Sequence, residues 1–575
     1  MTKRHRKPDP SAWQKEMLDG LRALAVSKPD YLLRASSLGV KQQCLVVKIV
    51  IATASIPHVE GGMLLGDTET FLVAVPDSPL IPPTVWVPGI DPRFLGFPHV
   101  LQGLRVCIYL DPFREWNPDL GAVGLLDRLW QWLGDASSAR FDPRTAMYHA
   151  VGGVLAVTEG TPTVVVRGAS EMDHSRRSYL VERTSNRLDL VDIKSEATLC
   201  VPIFPAQHPF PVGVSDTLQV LVATLGDQGQ AFLTALMTSA VRNNAGTPQY
   251  FILSVPHPAN GPRHILAGRV SLAATDGLRA ILRREGTGAT IPVNRIREDI
   301  KIEWCNMSDE RSVVSTRRDD NRPVNGFLGK TVILWGCGGL GSWMGDFITR
   351  AGAARITVCD FGVITGGLLV RQDYSERDVG RSKADALAER LRTIRDDVEI
   401  VPINGSVPGN VSESMEADVV IDATVSVAVS QLLDEATVEC PARRCWLVQA
   451  AVDAKTGTAG IVNISAPGQD TLTVIDTSAH AFVASDGFLE DYVTLWDNPS
   501  RDDELIPTLG CSVPTFHGSA ADLAALAGVM TTLIGSHLTT VEAVSGTHLL
   551  SLPGSQIAPN HRFIPYFGTR IIGRH

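Results

Sequence analysis

The densest chemistry in the chain lies between Lys330 and Asp360, KTVILWGCGGLGSWMGDFITRAGAARITVCD. An apolar run, Val332 to Trp335, turns through Gly336, Gly338, Gly339 and Gly341, passes into a helical pattern and closes on a second short run ending at Asp360. Glycines at this spacing let backbone N–H groups approach a phosphate with no Cβ in the way, and the helix after them turns its positive end toward the charge. An acidic residue at the end of the second run can accept hydrogen bonds from ribose hydroxyls. Such a turn serves NAD or FAD as readily as ATP. The cations downstream separate these ligands: Arg371-Gln372 and Lys383 stand shortly beyond Asp360. Hydride transfer has no use for two cations beside the ribose, whereas attack on the α-phosphate of ATP needs a neutralised triphosphate and a metal ion. A second kind of chemistry sits at Cys511, on the loop PTLGCSVPTFHG with Ser512 and His517 close by. A thiol leading into a helix N-terminus has a lowered pKa and acts as a nucleophile. Cys440 and Cys445 are its rivals, but their spacing is wrong for a zinc pair and Cys445 opens an apolar run, so they read as structural.

The elements that must position these groups alternate as in an α/β domain. Asp418 to Asp422 reads as a strand, Gln431 to Val438 as a helix, Cys445 to Ala451 and Gly460 to Ile464 as strands, and Ala520 to Ile534 as a long helix of small residues. A polar segment, Ser485 to Asp503, separates the last two. This order resembles the adenylating superfamily of ubiquitin-activating enzymes and their bacterial relatives in thiamine and molybdopterin synthesis, over about residues 325 to 545. The resemblance implies that the glycine turn, Asp360 and Gln372 hold ATP, that Arg371 and Lys383 sit on the phosphates, and that Asp422 coordinates Mg²⁺. Two positions depart from the family: its second acidic residue after the strand is Gly362 here, and the Asn before Arg-Gln is Leu368.

Near the start, SAWQKEMLDGLRALAV places Trp13, Met17, Leu21 and Leu24 at helical spacing with Ser11 as cap. Strand-like runs come next at 44–53, 69–75 and 84–87, punctuated by Gly61-Gly62 and Pro82-Pro83. A helix from Ala122 to Leu133 carries Leu125, Leu126, Leu129, Trp130 and Leu133 on one face. Helix, strands, proline-rich turn, an extended segment with one cysteine, then helix: this order resembles ubiquitin-conjugating enzymes. Phe97-Pro98-His99-Val100 stands where that family has His-Pro-Asn-Ile, Cys107 where it has its nucleophile, and Trp116-Asn117-Pro118 matches its Trp-x-Pro within one residue. The resemblance implies that Cys107 carries a thioester and that His99 replaces the oxyanion-stabilising Asn, a role an imidazole N–H can fill. The competing reading is a half-buried strand cysteine in another α+β domain.

At 575 residues and 44% hydrophobic, the chain has length for about three to four domains. A net charge of −10 and a pI near 5.8 argue against a nucleic-acid or anionic-membrane surface. The basic opening MTKRHRKPDP lacks an apolar core for a signal peptide, and no run of eighteen apolar residues suggests a spanning helix. Nine scattered cysteines without a CxxC pair suit a reducing cytoplasm. Cys337 and Cys359 read as small apolar fillers. Between 151 and 315 there are β-type runs at 163–166, 198–203 and 250–255, a helix at 231–241, and polar loops around 173–186; no catalytic constellation stands out. His208, His257 and His264 read as loop residues, and Arg311 to Arg322 as a charged linker that could lend an arginine to ATP.

The expected architecture is multidomain: an N-terminal α+β ubiquitin-conjugating-like domain (1–150), a central α/β linker domain (151–315) and a C-terminal α/β Rossmann-like adenylating domain (316–575). The two resemblances imply one path: ATP converts a modifier's C-terminal carboxylate to an acyl-adenylate, Cys511 takes the acyl group as a thioester, Cys107 receives it, and a target lysine attacks. Such a fusion looks like the conjugation proteins of antiphage CBASS operons, whose modifier is a cyclic-nucleotide synthase, and is similar to other bacterial ubiquitin-like systems. A homodimer is expected by analogy. The alternative is a sulfur-carrier activator with a non-catalytic N-terminal binding module.

Overall fold

A computed structural model of the chain divides into two compact units, Met1–Arg318 and Asp319–His575. It describes residues 9–568 except 96, 110, 142–156, 168–171, 195–197, 211–213, 257–261, 287–291, 293–294, 312–313, 315–321, 406–410, 454–455, 497–517, 541, 554, 556 and 559.

The first unit opens with the helix Ala12–Ser27, where Ser11 and Gln14 form a reciprocal capping box. Gln14 is buried and its amide donates to the carbonyls of Gln43 and Val75 at 2.8 and 2.9 Å, tying the helix to the sheet beside it. That sheet is an antiparallel meander, edge to edge Leu32–Lys41, Cys44–Ala52, Thr68–Val75, Thr84–Trp86, Arg105–Val106 and Val100–Leu101. Its inward residues alternate, Leu45, Val47, Ile49 and Ile51 on one strand, and pack with Leu21, Leu125, Leu129 and Leu133 of the two helices. The helix Gly121–Ser137 is longer by a turn than its apolar stripe suggested.

A second sheet of eight strands runs Ile302–Trp304, His264–Val270, Gln249–Val255, Thr198–Pro205, Arg176–Thr184, Arg187–Val191, Thr163–Val166 and Met307–Asp309. Its two edge strands are consecutive in the chain, joined by Cys305 and Asn306, so the sheet curls until its edges share one run of backbone. One face packs Phe204, Phe251 and Trp304 against Phe232, Leu236 and Leu278 of two helices, Gly229–Arg242 and Leu272–Glu285. The other encloses Val164, Leu180, Val201, Ile252 and Ile265. With both faces covered, every residue of Gln249–Val255 is buried and the period of two disappears from the sequence. Two expectations are corrected here. The stretch 173–186 is not a polar loop but mostly the strand Arg176–Thr184, which turns Ser178 and Leu180 inward and its charges outward. His264 is a strand residue paired with Val255. Arg311 is buried, bound to both oxygens of Asp309 and to the carbonyl of Arg263, which commits it to this sheet.

In the second unit eight strands run Glu399–Asn404, Arg355–Asp360, Thr331–Trp335, Val419–Asp422, Trp446–Val452, Ala459–Ser465, Ser545–Ser551 and Asn560–Tyr566. The first five are parallel and the last three antiparallel. Helices Gly341–Arg350, Lys383–Ile394 and Ala520–Thr539 contribute Met344, Leu387 and Leu526 to one core, and Val427–Glu439 contributes Val429 and Leu433 to another. A further helix, Leu472–Ser485, was not legible among its Thr, Ser and Ala residues. By length and composition Ala520–Thr539 could cross a bilayer. Its Leu523, Leu526, Met530 and Ile534 are buried against the sheet, which makes it a core helix of this unit.

At the far edge three imidazoles form a chain. His537 Nε2 lies 2.8 Å from His548 Nε2, and His548 Nδ1 lies 2.9 Å from His561 Nε2. Burial, reinforced by its two histidine neighbours, pushes His548 down to about 3. Burial also lowers His537 and His561. An unfolded chain protonates these rings near pH 6.5 while the folded one resists, so their contribution is complete above pH 6.5 and is lost as pH falls toward 3. Denaturant titrations of the full chain should show stability falling below pH 6.5, with His548 adding a slope of up to about 1.4 kcal/mol per pH unit. Replacing His548 with Leu should reduce that slope; an identical pH profile would refute the assignment.

Candidate active sites

The strand order of the second unit reverses between Thr331–Trp335 and Val419–Asp422, and a crevice opens beyond their carboxyl ends. Gly336 adopts φ +86° there, and a Cβ on it would lie 2.8 Å from the carbonyl oxygen of Ala423. A Cβ on Gly341 would overlap the Gly336 carbonyl at 1.8 Å. Gly338 differs: its Cβ would meet only the Gln372 side-chain nitrogen, at 4.0 Å. Two glycines make the turn and the third leaves room above it. Gly339 continues the turn between them.

Asp360 braces this turn. Its carboxylate accepts from the Cys337 N–H at 2.8 Å and from the Gly362 N–H at 2.6 Å. The Lys383 side chain runs past Gly362, where a Cβ would lie 2.9 Å from Asp360 and 3.2 Å from Lys383 Cε. A side chain at this position, where the family has its second acidic residue, would crowd Asp360 first and the Lys383 side chain next. Leu368 likewise acts through its backbone, its carbonyl receiving the N–H groups of Arg371 and Gln372 at 3.1 and 3.0 Å. Gln372 is buried and its Oε1 has no partner among the described residues, an acceptor that a sugar hydroxyl or an amine would fill. Open space over Gly338, an orphaned acceptor and the cation of Lys383 fit a nucleotide.

Two residues that the sequence did not single out hold this arrangement. The Tyr374 hydroxyl lies 2.8 Å from the Cys337 carbonyl and 3.2 Å from that of Lys383, joining the turn to the lysine's helix. Asp373 is buried, takes the Arg390 guanidinium at 2.7 Å, and its N–H donates to Ser342 Oγ at 3.0 Å. Their only signal in the sequence is that they directly follow Arg371-Gln372.

Asp422 is fully buried. Oδ1 accepts from the Thr424 N–H and hydroxyl at 2.9 and 2.6 Å, and Oδ2 takes a long 3.5 Å contact from Gln449 Nε2. Burial holds its carboxyl above the usual range, against the pull of these hydrogen bonds. No Lys or Arg pairs with it among the described residues. A buried carboxylate with a lone pair to spare and no counter-charge fits a divalent cation.

In the first unit Cys107 follows the short strand Arg105–Val106, and its N–H donates to the His99 carbonyl at 2.8 Å. The thiol donates to the Tyr109 carbonyl at 3.1 Å. Burial pushes Cys107 up, partly offset by Arg105, so the resting group is a thiol. His99 holds φ +61°, a left-handed backbone that Asn and His tolerate better than most residues. Its ring packs at 4.5 Å against Phe141, and burial lowers its pKa, so it is neutral at pH 7. A neutral imidazole keeps one N–H donor. Trp116 Nε1 donates to the Pro79 carbonyl at 2.8 Å, tying the loop that leads into Pro82-Pro83 to the segment after Cys107. Cys511, Ser512 and His517 lie outside the described residues. Cys337, Cys359 and Cys445 are buried, and Cys440 is half-buried at a helix end.

Three families match successive parts of the sequence. Prokaryotic E2 family A matches residues 38–158, the Cap2 central linker domain 196–310, and the ThiF family 327–548. The chain is a fusion of an E2-type domain with a ThiF-type domain. The Cap2-type linker match covers five of the eight strands of the curled sheet, from Thr198–Pro205 to Met307–Asp309. Within the ThiF-type part, the chain is 34% identical over 105 residues to the tRNA threonylcarbamoyladenosine dehydratase of Escherichia coli, which covers 18% of this chain and 39% of that protein. It is 30% identical over 106 residues to the molybdopterin-synthase adenylyltransferase of the same organism, 18% and 43% respectively. To the SAMP-activating enzyme E1 of Haloferax volcanii it is 32% identical over 111 residues, 19% and 41%. The chain thus spans about two fifths of the length of these curated relatives. Among solved structures, E. coli MccB with ATP aligns over 43% of this chain and 67% of that one, at 14% identity and a TM-score of 0.29.

The glycine geometry separates binding from folding. Gly338→Ala should leave stability within about 0.5 kcal/mol, as for substitutions that touch nothing, yet weaken nucleotide binding by calorimetry. Gly341→Ala should lower the melting temperature sharply. Equal melting losses for both would contradict the open space over Gly338.

Proposed function

We propose that the ThiF-type domain adenylates the C-terminal carboxylate of a protein modifier with ATP, and that the fusion passes the acyl group through thioesters to an amine. The observation that carries this reading is the meeting, in one crevice, of an open glycine turn, the Gln372 acceptor, Lys383 and the buried Asp422. The names of two relatives, an adenylyltransferase and an activating enzyme, support it.

In this mechanism the backbone of the glycine turn and Lys383 bind the phosphates, Arg371 neutralises charge on the departing pyrophosphate, and Gln372 and Asp360 hold the sugar. Asp422 would hold Mg²⁺, which supplies Lewis-acid polarisation of the phosphates. The modifier's carboxylate oxygen attacks the α-phosphorus and the bond to pyrophosphate breaks. Cys511 then attacks the acyl carbon, displacing AMP, and the Cys107 thiol displaces that of Cys511. A target amine finally attacks the Cys107 thioester, the oxyanion taking a hydrogen bond from His99 and the thiolate leaving. Because burial raises the Cys107 pKa, its activation falls at the moment of transfer. The match to the Cap2 linker favours a bacterial conjugation system in antiviral defence, acting in the cytoplasm, with a cyclic-nucleotide synthase or ubiquitin-like protein as modifier and a lysine as target.

Modifier-dependent exchange of labelled pyrophosphate into ATP tests the first step. Arg371→Ala or Asp422→Asn should slow it by about 10²–10³-fold, the cost of losing one preorganised electrostatic group. Exchange that persists at full rate in both variants refutes the assignment.

The relay has its own readout. Cys511→Ala should preserve exchange and abolish covalent loading, while Cys107→Ser should trap the modifier as an ester that survives reductant. Loading of Cys107 in the Cys511→Ala protein would show direct transfer from the adenylate. His99→Ala should slow discharge to an amine by about 10²–10³-fold and leave loading intact if the imidazole is the oxyanion donor. Equal loss of loading and discharge would make it a packing residue.

A further inference from the structure

Asp422 belongs to a row that crosses four strands. Asp422 pairs in register with Gln449, Gln449 with Asn463, and Asn463 with Thr547, so four polar side chains share one face at one level of the sheet. The strand neighbours Val448, Val462 and Ile464 are all buried hydrophobics. Within the row every donor points the same way. The Thr547 hydroxyl donates to Asn463 Oδ1 at 2.7 Å, Asn463 Nδ2 to Gln449 Oε1 at 3.4 Å, and Gln449 Nε2 to Asp422 Oδ2 at 3.5 Å. The remaining amide hydrogens are taken from the side, by Ser430 Oγ at 2.5 Å from Gln449 and by Asp476 Oδ1 at 2.8 Å from Asn463. Asp476 is itself fixed by Trp496 Nε1 at 3.1 Å.

Stability does not call for such a row, since well-packed apolar residues in place of buried polar partners are often neutral or stabilising. Its direction gives it a use. Aligned amide and hydroxyl dipoles polarise one another, and this chain ends on the one oxygen of Asp422 that Thr424 does not hold. Ser430 and Asn463 hold the Gln449 amide with its nitrogen toward Asp422. Thr424 from one side and Gln449 from the other leave the carboxylate a single orientation.

We propose that Gln449, backed by Asn463 and Thr547, is a positioning residue that orients the Asp422 carboxylate toward the divalent cation of the bound nucleotide. This rests on the reading of the second unit as an ATP site that uses a metal. The row does not touch the nucleotide; it acts through Asp422, as outer ligands do at metal centres, where their loss costs about 10–100-fold in metal affinity or activity.

The test uses the full chain loaded with ATP and Mn²⁺ as a paramagnetic probe of the cation site, read by electron spin resonance. Gln449→Met, close in volume and without an amide, should weaken Mn²⁺ binding by about 10–100-fold while ATP affinity measured in EDTA stays unchanged. Thr547→Val, at the far end of the row and nearly isosteric, should shift Mn²⁺ affinity in the same direction by a smaller factor. Unchanged Mn²⁺ affinity in Gln449→Met overturns the inference, as does a parallel loss of metal-free ATP binding, which would mark a merely structural role. If Gln449→Met does not fold, Thr547→Val decides on the same criterion. Failure of the unaltered chain to bind Mn²⁺ with ATP would instead sink the functional reading itself, and the inference with it.

Discussion

Gly336 passes Ala423 with no room for a methyl group between them, and the ThiF-type domain is arranged around that approach. It lets the turn leave one parallel strand and pass directly over the end of the next, so the backbone N–H groups of one strand and the carboxylate of the other face the same crevice. Asp360 then grips the turn from the opposite side through Cys337, and Tyr374 ties it to the helix that begins at Lys383. Three groups from three distant stretches of chain are thereby fixed to one short turn. The rigidity is that of a site meant to stabilise charge without reorganising, which is where electrostatic catalysis gains most.

The E2-type domain holds Cys107 differently. Among the described residues its hydrogen bonds are to backbone carbonyls, from its N–H to His99 and from its thiol to Tyr109. Burial keeps the sulfur protonated, which protects a thiol from adventitious oxidation and leaves its reactivity to be supplied by whatever displaces the Tyr109 contact. His99 sits where a left-handed backbone is needed, and that requirement narrows the residues that can stand there to a few polar types.

The strand, glycine turn and helix around Gly336 and the capped opening helix were legible because each is a local pattern, whereas the part Asp360 plays in bracing that turn was not. The helix Ala12–Ser27 carries its cap, its apolar stripe and its stop within one stretch of sequence. The linker was legible in part. Its apolar runs at 163–166, 198–203 and 250–255 read as strands and fold as strands, whereas Arg176–Thr184 hides its alternation beneath surface charge and reads as a polar loop. Gln449 and Asn463 escaped notice for a related reason: a lone amide in an apolar strand looks like noise until register places it beside another. Tyr374 acts through the carbonyls of Cys337 and Lys383, and Asp373 through the Arg390 guanidinium and the Ser342 hydroxyl, partners that spacing along one chain does not encode.

The curled sheet of the linker has a consequence for how the chain is made. Its edges meet through Trp304 and Thr158, whose N–H to hydroxyl bond at 3.1 Å spans 146 residues, and through the parallel pairing of Met307–Asp309 with Thr163–Val166. Closing so long a loop is entropically slow: Thr163–Val166 can pair early with Arg187–Val191 on one edge, but its other edge gains no partner until the last strand has been synthesised. During translation Thr163–Val166 must wait, its edge unpaired on that side, until residue 309 has left the ribosome, whereas the meander before it is built from neighbouring strands and can complete at once. The fusion therefore places a fast-folding module ahead of a slow one, and the interval between them is when this chain most needs protection from other strand edges.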